Sequence, residues 1–391
     1  MAIEAEDFIN RSPGRPVEAA LLLDQRQIIS EAPAARPTLP AQFTHDPADA
    51  APMPGITAIV PAYDEAESIT ETVLSLRAQT YPVAEIIVVD DCSTDDTAAV
   101  ARRLGVTVLT PPKNTGSKAG AQNFAMPFVA TEYCMAIDAD TELAPDAVEK
   151  LVAALNPPGV AAVCGFVLPR YVRSVWERGR YIEYLFAFNF YKPIQDFLGR
   201  PLISSGCFSA YRTAILRSVG GWSTRTMAED MDLTWTLYHR GHQVRFVGDA
   251  LCYPIEPHDF NFLSKQLRRW SHGFVQNVRL HWREVVPQPY LRSILAVGYW
   301  DAIISSIAYL ILIPLLMLIV HPVMAVAYVI DLPAVAIPVL VKAWQRREFG
   351  RALLSLPCFL IVRLVNSYFI LCAVWSEYVL GKTLLVYEKG H

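Results

Sequence analysis

Several clusters in this 391-residue chain have the residue types and spacing for chemistry on a phosphate-bearing substrate. Asp138-Ala-Asp140 directly follows the apolar run 132–137. In an extended segment, residues i and i+2 point to the same side. Two carboxylates so placed can hold a divalent cation, Mg2+ or Mn2+, which takes oxygen ligands and shares them with phosphates. The ion neutralises charge building on a leaving diphosphate. An acidic surface loop has the same composition, so the pair alone decides nothing.

Asp90-Asp91 ends another apolar run, and Ser93, Asp95 and Asp96 follow it. They cap the next helix, or one of the carboxylates accepts hydrogen bonds from a base or ribose. Glu229-Asp230 opens a helix expected over 228–240. A carboxylate there can serve as general base on a hydroxyl, or it compensates the helix dipole, with Asp232 as a spare copy. Gln266, Arg269 and Trp270 share a helix face through their i, i+3, i+4 spacing. An arginine beside a diphosphate and a tryptophan stacked on a sugar are a sensible pair; an arginine stem packed on the tryptophan is the plainer reading.

The elements that must position these groups alternate at short spacing. Strands are expected at 56–60, ended by Pro61, and at 85–90, 106–110 and 132–137. Helices are expected at 65–77, 94–104 and 118–129. This alternation implies a parallel sheet covered on both faces. In such sheets ligands sit beyond the carboxyl ends of the strands, which is where Asp91, Asp138 and Asp140 fall.

Composition separates a polar part from an apolar one. Hydrophobic residues make up 53% of the chain and charged residues 18%, and the apolar excess gathers after residue 294. Apolar stretches at 295–320, 323–341 and 352–374 approach the ~20 residues needed to cross a bilayer. Asp301, Asp331, Arg363 and Asn366 interrupt them, and ionisable groups in such places face protein or water. Arg279, Arg283 and Arg292, then Lys342, Arg346, Arg347 and Arg351, flank the stretches and place the polar part in the cytoplasm. Segment 171–200 mixes Tyr171, Trp176, Tyr181, Tyr184 and Phe186 with Arg173, Arg178, Arg180 and Lys192, which suits a membrane interface. The seven cysteines have neither zinc-ligand nor disulfide-framework spacing. A net charge of −4 gives no reason to expect nucleic acid as a partner. The acidic N-terminus has no apolar h-region of a secretory signal.

Taken in order, these motifs resemble those of family 2 glycosyltransferases, and within them the membrane-bound synthases of cellulose, chitin, hyaluronan and poly-N-acetylglucosamine. The matching residues are Val60-Pro-Ala-Tyr-Asp-Glu65, Val89-Asp-Asp91, Asp138-Ala-Asp140, Ser204-Ser-Gly-Cys207, Ala228-Glu-Asp-Met-Asp-Leu-Thr234 and Gln266-Leu-Arg-Arg-Trp270. The last of these marks polymer-synthase-like members. Cys92 stands where many members carry glycine, and no membrane helix precedes the catalytic part.

The resemblance implies a GT-A-type, Rossmann-like mixed sheet, followed by amphipathic interface helices and C-terminal transmembrane helices. It implies a tail over 1–52, a catalytic domain over 53–255, interface helices over 256–293 and a membrane region over 294–391. It also implies roles. Tyr63, Glu65 and Asp91 hold the uridine, Lys118 approaches the donor phosphates, Asp138 helps bind the donor, and Asp140 and Asp138 take Mn2+ or Mg2+. Asp230 is the base, with Glu229 beside it. Ser205, Gly206 and Cys207 line the acceptor path. Gln266, Arg269 and Trp270 complete the diphosphate and acceptor sites. The implied reaction is an inverting transfer from a UDP-sugar, UDP-glucose or UDP-N-acetylglucosamine, to a hydroxyl of a growing β-linked glycan. The alternative is addition of one or a few sugars to a lipid-linked or protein acceptor. The implied setting is the inner or plasma membrane, in contact with lipid, as one subunit or a homo-oligomer.

Overall fold

The structure, a computed structural model, describes residues 54–285 and 287–384; the expected N-terminal tail lies outside them. One mixed sheet organises the polar part. Its strands are β1 (Ile56–Ala62), β2 (Glu85–Asp90), β3 (Thr107–Leu109), β4 (Tyr133–Ile137), β5 (Thr141–Leu143), β6 (Val160–Val167), β7 (Phe208–Arg212) and β8 (Gln243–Pro254), in the order β3-β2-β1-β4-β7-β6-β8-β5. The first four are mutually parallel, as the alternation requires. The sheet becomes mixed at β7, which runs antiparallel to β4 and β6. Beyond it, β8 is parallel to β6 and β5 antiparallel to β8. This is a Rossmann-like GT-A fold.

The central strands β1 and β2 are buried on both faces, so their side chains divide with period two. Ile56, Ala58, Val60, Ile86 and Val88 enter one core cluster. Ile59, Ile87 and Val89 enter the other. The first cluster is closed by helices α1 (Ile69–Arg77), α4 (Ala147–Leu155) and α5 (Val175–Phe186). The second is closed by α3 (Lys118–Ala125) and α8 (Glu229–His239). The remaining short helices are α2 (Thr97–Arg103), α6 (Lys192–Phe197) and α7 (Thr213–Ser218).

Several boundaries differ from expectation for local reasons. β1 continues through Pro61 to Ala62: its ladder to β4 ends at Ile59, so the missing N–H of Pro61 costs nothing there. α1 starts only at Ile69: the residues before it form a turn in which Ser68 N and Ile69 N donate to Glu65 O at 3.2 and 3.0 Å. α3 stops at Ala125, where Pro127 turns the chain into a tighter helical turn over Met126–Phe128.

The chain then enters α9 (Phe260–Val285), a helix that packs on α8. Three helices follow that are long and apolar enough to cross a membrane: α10 (Pro289–Ile319), α11 (Pro322–Gln345) and α12 (Phe349–Val379). Their charged interruptions meet one another. Asp331 accepts from Tyr309 Oη at 2.7 Å and from Arg363 Nη1 at 3.0 Å. The Arg363 guanidinium lies 4.5 Å from the Tyr309 ring centre.

Candidate active site

β1, β2 and β4 are parallel, so the loops that follow them leave one edge of the sheet, and loop geometry sets the groups along it. The loop after β1 and the loop after β2 are clamped together. Asp64 Oδ1 accepts from Thr94 N at 2.6 Å, and the amides of Asp64, Glu65 and Ala66 donate to Ser93 Oγ, Thr97 Oγ1 and Asp95 Oδ2. Asp95 also accepts from Thr97 N at 2.9 Å, so it bonds the first turn of α2, whereas the side chain of Asp96 makes no cap bond. Tyr63 is half-buried at the lip of this clamp. Glu65 accepts from Ser68 Oγ at 2.6 Å. Asp91 is buried, and its two oxygens accept from the amide and hydroxyl of Thr115, each at 2.8 Å. The next residue, Cys92, has φ 64°. That left-handed conformation is the physical reason a glycine suits this position.

The centre of the site is a linked set of charges. Lys118, the first residue of α3, forms an ion pair with Asp138 and donates to the Gly206 carbonyl at 2.9 Å. The Gly206 amide donates to Asp230 Oδ2 at 2.9 Å. Asp230 Oδ1 accepts from the amide of Met231 at 2.8 Å. A Cβ on Gly206 would lie 3.1 Å from Asp230 Oδ2 and 3.3 Å from Lys118 Nζ, so the residue is small because two functional groups press on it. Burial alone would drive the Lys118 pKa down. The charges of Asp138 and Glu229 outweigh it and hold the ammonium charged, with its pKa above the ordinary value. Glu229 is pushed up by burial and by the adjacent Asp230, against the opposing charges of Lys118 and Arg269.

The loop before β7, expected to line the acceptor path, is fixed from below. Ser204 N donates to Thr234 Oγ1 at 2.9 Å, and Thr234 Oγ1 donates to the Asp230 carbonyl at 2.6 Å, so the loop and the first turn of α8 move together. Lys192 is buried and donates to Ile203 O at 2.7 Å and Ser205 Oγ at 2.8 Å. Cys207 O accepts from Asp138 N at 3.3 Å.

Asp138 and Asp140 do not lie in an extended segment. The strand ends at Ile137, and a turn closed by Thr141 N on Asp138 O at 3.2 Å carries them. Strand alternation therefore does not set their relation; the turn does, and Arg170 pins it by donating to Asp140 O at 2.9 Å. Among the described residues no cluster of three or more His, Cys, Asp or Glu forms a metal cage. Two hard carboxylate donors in one turn nevertheless fit Mg2+ or Mn2+, ions that complete their shells with phosphate oxygens and water.

Sequence spacing does not reveal what α9 meets. Gln266 and Trp270 converge on Arg180 of α5. Arg180 Nη2 donates to Gln266 Oε1 at 3.2 Å, and its guanidinium carbon sits 4.3 Å from the Trp270 ring centre. Glu183 and Glu256 flank the same guanidinium, and Tyr184 Oη donates to Glu256 at 2.7 Å. Burial pushes both carboxyls up, opposed by the charge of Arg180. An arginine does pack on Trp270, but from another helix rather than from α9 itself. Arg269 acts electrostatically on Glu229. Segment 171–200 thus turns Arg180 and Lys192 inward, while Phe190, Ile194 and Phe197 are exposed.

Asp232 is no spare copy of Asp230. It is fully buried, and Arg225 binds it bidentately at 2.7 and 2.8 Å while His281 Nε2 lies 2.6 Å away. Burial would raise its pKa, but the bonds from Arg225 and His281 prevail and hold it well below the carboxylate range. It anchors α8 to α9. So does Gln276, which accepts from Met227 N at 2.9 Å, two residues before Glu229.

Residues 57–220 match the model of glycosyl transferase family 2. Over 223 residues the chain is 29% identical to the poly-beta-1,6-N-acetyl-D-glucosamine synthase of Staphylococcus aureus, covering 56% of this chain and 54% of that protein. It is 30% identical over 224 residues to the synthase of the same name from Staphylococcus epidermidis, again with 56% and 54% coverage. The chain thus spans about half the length of the curated relatives it matches. Its fold resembles that of the mannosyltransferase PcManGT from Pyrobaculum calidifontis in complex with GDP-Man and Mn2+, with a TM-score of 0.56, 21% identity, and coverage of 92% of this chain and 94% of that one.

Proposed function

We propose that this protein transfers a sugar from a nucleoside diphosphate donor to an acceptor hydroxyl at the cytoplasmic surface of a membrane, with inversion. The observation that carries this reading is the continuous link Asp138–Lys118–Gly206–Asp230. It ties the carboxylates that suit a donor diphosphate and its cation to a carboxylate poised beside the acceptor loop.

In this reading Tyr63, Glu65 and Asp91 receive the nucleoside, and Lys118 and Arg269 face the diphosphate. Asp138 and Asp140 hold Mn2+ or Mg2+, which would offset negative charge on the leaving group. Asp230 takes the proton of the acceptor hydroxyl. Its carboxylate is fixed by the amides of Gly206 and Met231, so it is oriented before substrate arrives. Glu229 keeps Lys118 charged. Ser205, Gly206, Cys207, Gln266 and Trp270 bound the acceptor. The relatives named as poly-N-acetylglucosamine synthases favour UDP-N-acetylglucosamine and an elongating β-linked glycan. Short-product transfer to a lipid-linked or protein acceptor is the second reading, supported by the exposed face of Trp270 beside apolar helices that could carry such an acceptor at the membrane.

The test is nucleoside diphosphate release from a panel of UDP-sugars and GDP-mannose by detergent-extracted protein with Mn2+ or Mg2+, with products sized. Donor-specific release with a long product supports the synthase reading, and a single added sugar supports the second. Release unaffected by Asp230→Asn would sink the assignment of the base.

A further inference from the structure

We infer that α12, although long and apolar enough to cross a bilayer, does not cross it: it lies along the catalytic unit, so that the C-terminal end of the chain stays on the catalytic side. The inference rests on the membrane reading above and divides the three apolar helices into two kinds.

The catalytic unit touches α12 at successive heights along its length. At its start, Glu348 accepts from Tyr181 Oη of α5 at 3.1 Å. Further on, α5 comes so close that a Cβ on Gly179 would lie 2.3 Å from Val362 Cγ2 and 3.0 Å from Cys358 O. Asn366 donates to Glu183, also on α5. At the far end, Glu377 is buried and accepts from Gln276 Nε2 of α9 at 2.7 Å, with His272 Nδ1 2.8 Å away.

At 1.5 Å per residue, Glu348 to Glu377 measures about 44 Å, while the hydrocarbon core is about 30 Å thick. The longest interval between these contacts, Asn366 to Glu377, measures about 16 Å. No stretch free of the catalytic unit is long enough to cross. If α12 did cross, α5 with its buried Arg180 and Glu183 would sit at mid-bilayer, and His272 would lie beyond it. Both arrangements set charged groups of the catalytic unit in hydrocarbon, where ionisable groups are costly. Lying flat, α12 instead gives one face to the core through Ala352, Leu356 and Phe359. The other face, with Leu354, Ile361, Tyr368 and Trp375, is exposed and suited to lipid.

The stretch from Ile304 to Ile330 is different. Here α10 and α11 hold each other, Tyr328 Oη donating to Tyr309 O at 2.9 Å, and Ile311, Leu315, Leu318, Val326 and Ile330 are exposed. This hairpin is the part that enters the bilayer. Leaving and returning, it keeps the Arg346-Arg347 turn on the catalytic side.

The experiment uses the full chain in inside-out vesicles that consume externally added sugar nucleotide, with different epitope tags at its two termini. Protease is expected to remove both tags without detergent. In a Lys382→Cys, Cys372→Ser variant, an impermeant maleimide is expected to label residue 382 in sealed vesicles. A C-terminal tag that stays protected while the N-terminal tag is lost, or labelling only after permeabilisation, overturns the inference alone. Recovery of the chain in the supernatant after alkaline carbonate extraction overturns it together with the membrane reading.

Discussion

The backbone amide of Gly206 donates to Asp230 Oδ2 at 2.9 Å, which fixes the carboxylate of α8 from the loop that precedes β7. The bond uses a backbone group, so it survives any side chain, but the space around it does not. Gly206→Ala would place a methyl 3.1 Å from Asp230 and 3.3 Å from Lys118. Turnover is expected to fall about 10-fold to 100-fold, in line with small displacements of positioned groups, with thermal stability little changed. Steady-state kinetics beside a melting curve checks this.

Asp230→Asn keeps the size of the side chain but removes the proton acceptor, and its single amide oxygen retains one of the two backbone bonds. Turnover is expected to drop by about 10²–10⁴, with donor affinity retained. Calorimetric titration of the donor against the variant, beside its turnover, separates the two effects. Loss of donor binding would instead place Asp230 on the donor side.

How much of this was legible in the sequence depends on whether the signal was local. The first four strands could be read because each is a short β-rich run in a regular strand–helix alternation, and β2 and β4 are buried runs that end at an acidic group. Asp138, Asp230 and Lys118 could be placed by motif. What their neighbours do could not. Arg180 lies 86 residues before Gln266, and nothing in its own segment separates an arginine facing lipid headgroups from one buried between two glutamates. The only local hint is Glu183 three residues on, at helical spacing. The same holds for Asp232: an acidic residue in a first turn looks like dipole compensation until His281, 49 residues away, is seen to close on it. The turn at 138–140 was missed for a different reason, since strand alternation was extended past the point where the strand ends.

The Asp232 site gives a pH dependence with a definite sign. Its folded-state pKa is held below the ordinary carboxylate value by Arg225 and His281. The unfolded chain therefore binds that proton first as pH falls. The contribution is fully present above the ordinary range, near pH ~4, and is lost as pH drops toward the folded value. Asp232→Ala is expected to cost about 1–3 kcal/mol at neutral pH by leaving buried donors without an acceptor. It should also flatten the acid limb of a melting-temperature profile recorded between neutral pH and pH ~3.

Cys92→Gly tests the left-handed turn after β2. At φ 64° a side chain costs about 1–2 kcal/mol that glycine does not incur, partly offset by the greater entropy glycine loses on folding. A net gain of up to about 1 kcal/mol is expected in denaturant unfolding, with nucleotide affinity unchanged.

The arginine over Trp270 has a consequence for direction. One face of the indole is covered by Arg180 at 4.3 Å, while the ring as a whole remains 37% exposed. A sugar stacking on it therefore has a single side to approach from. In the proposed reading, an acceptor sugar that stacks on this indole meets it from the side away from Arg180, so a charge buried behind the ring sets which side of the platform is used.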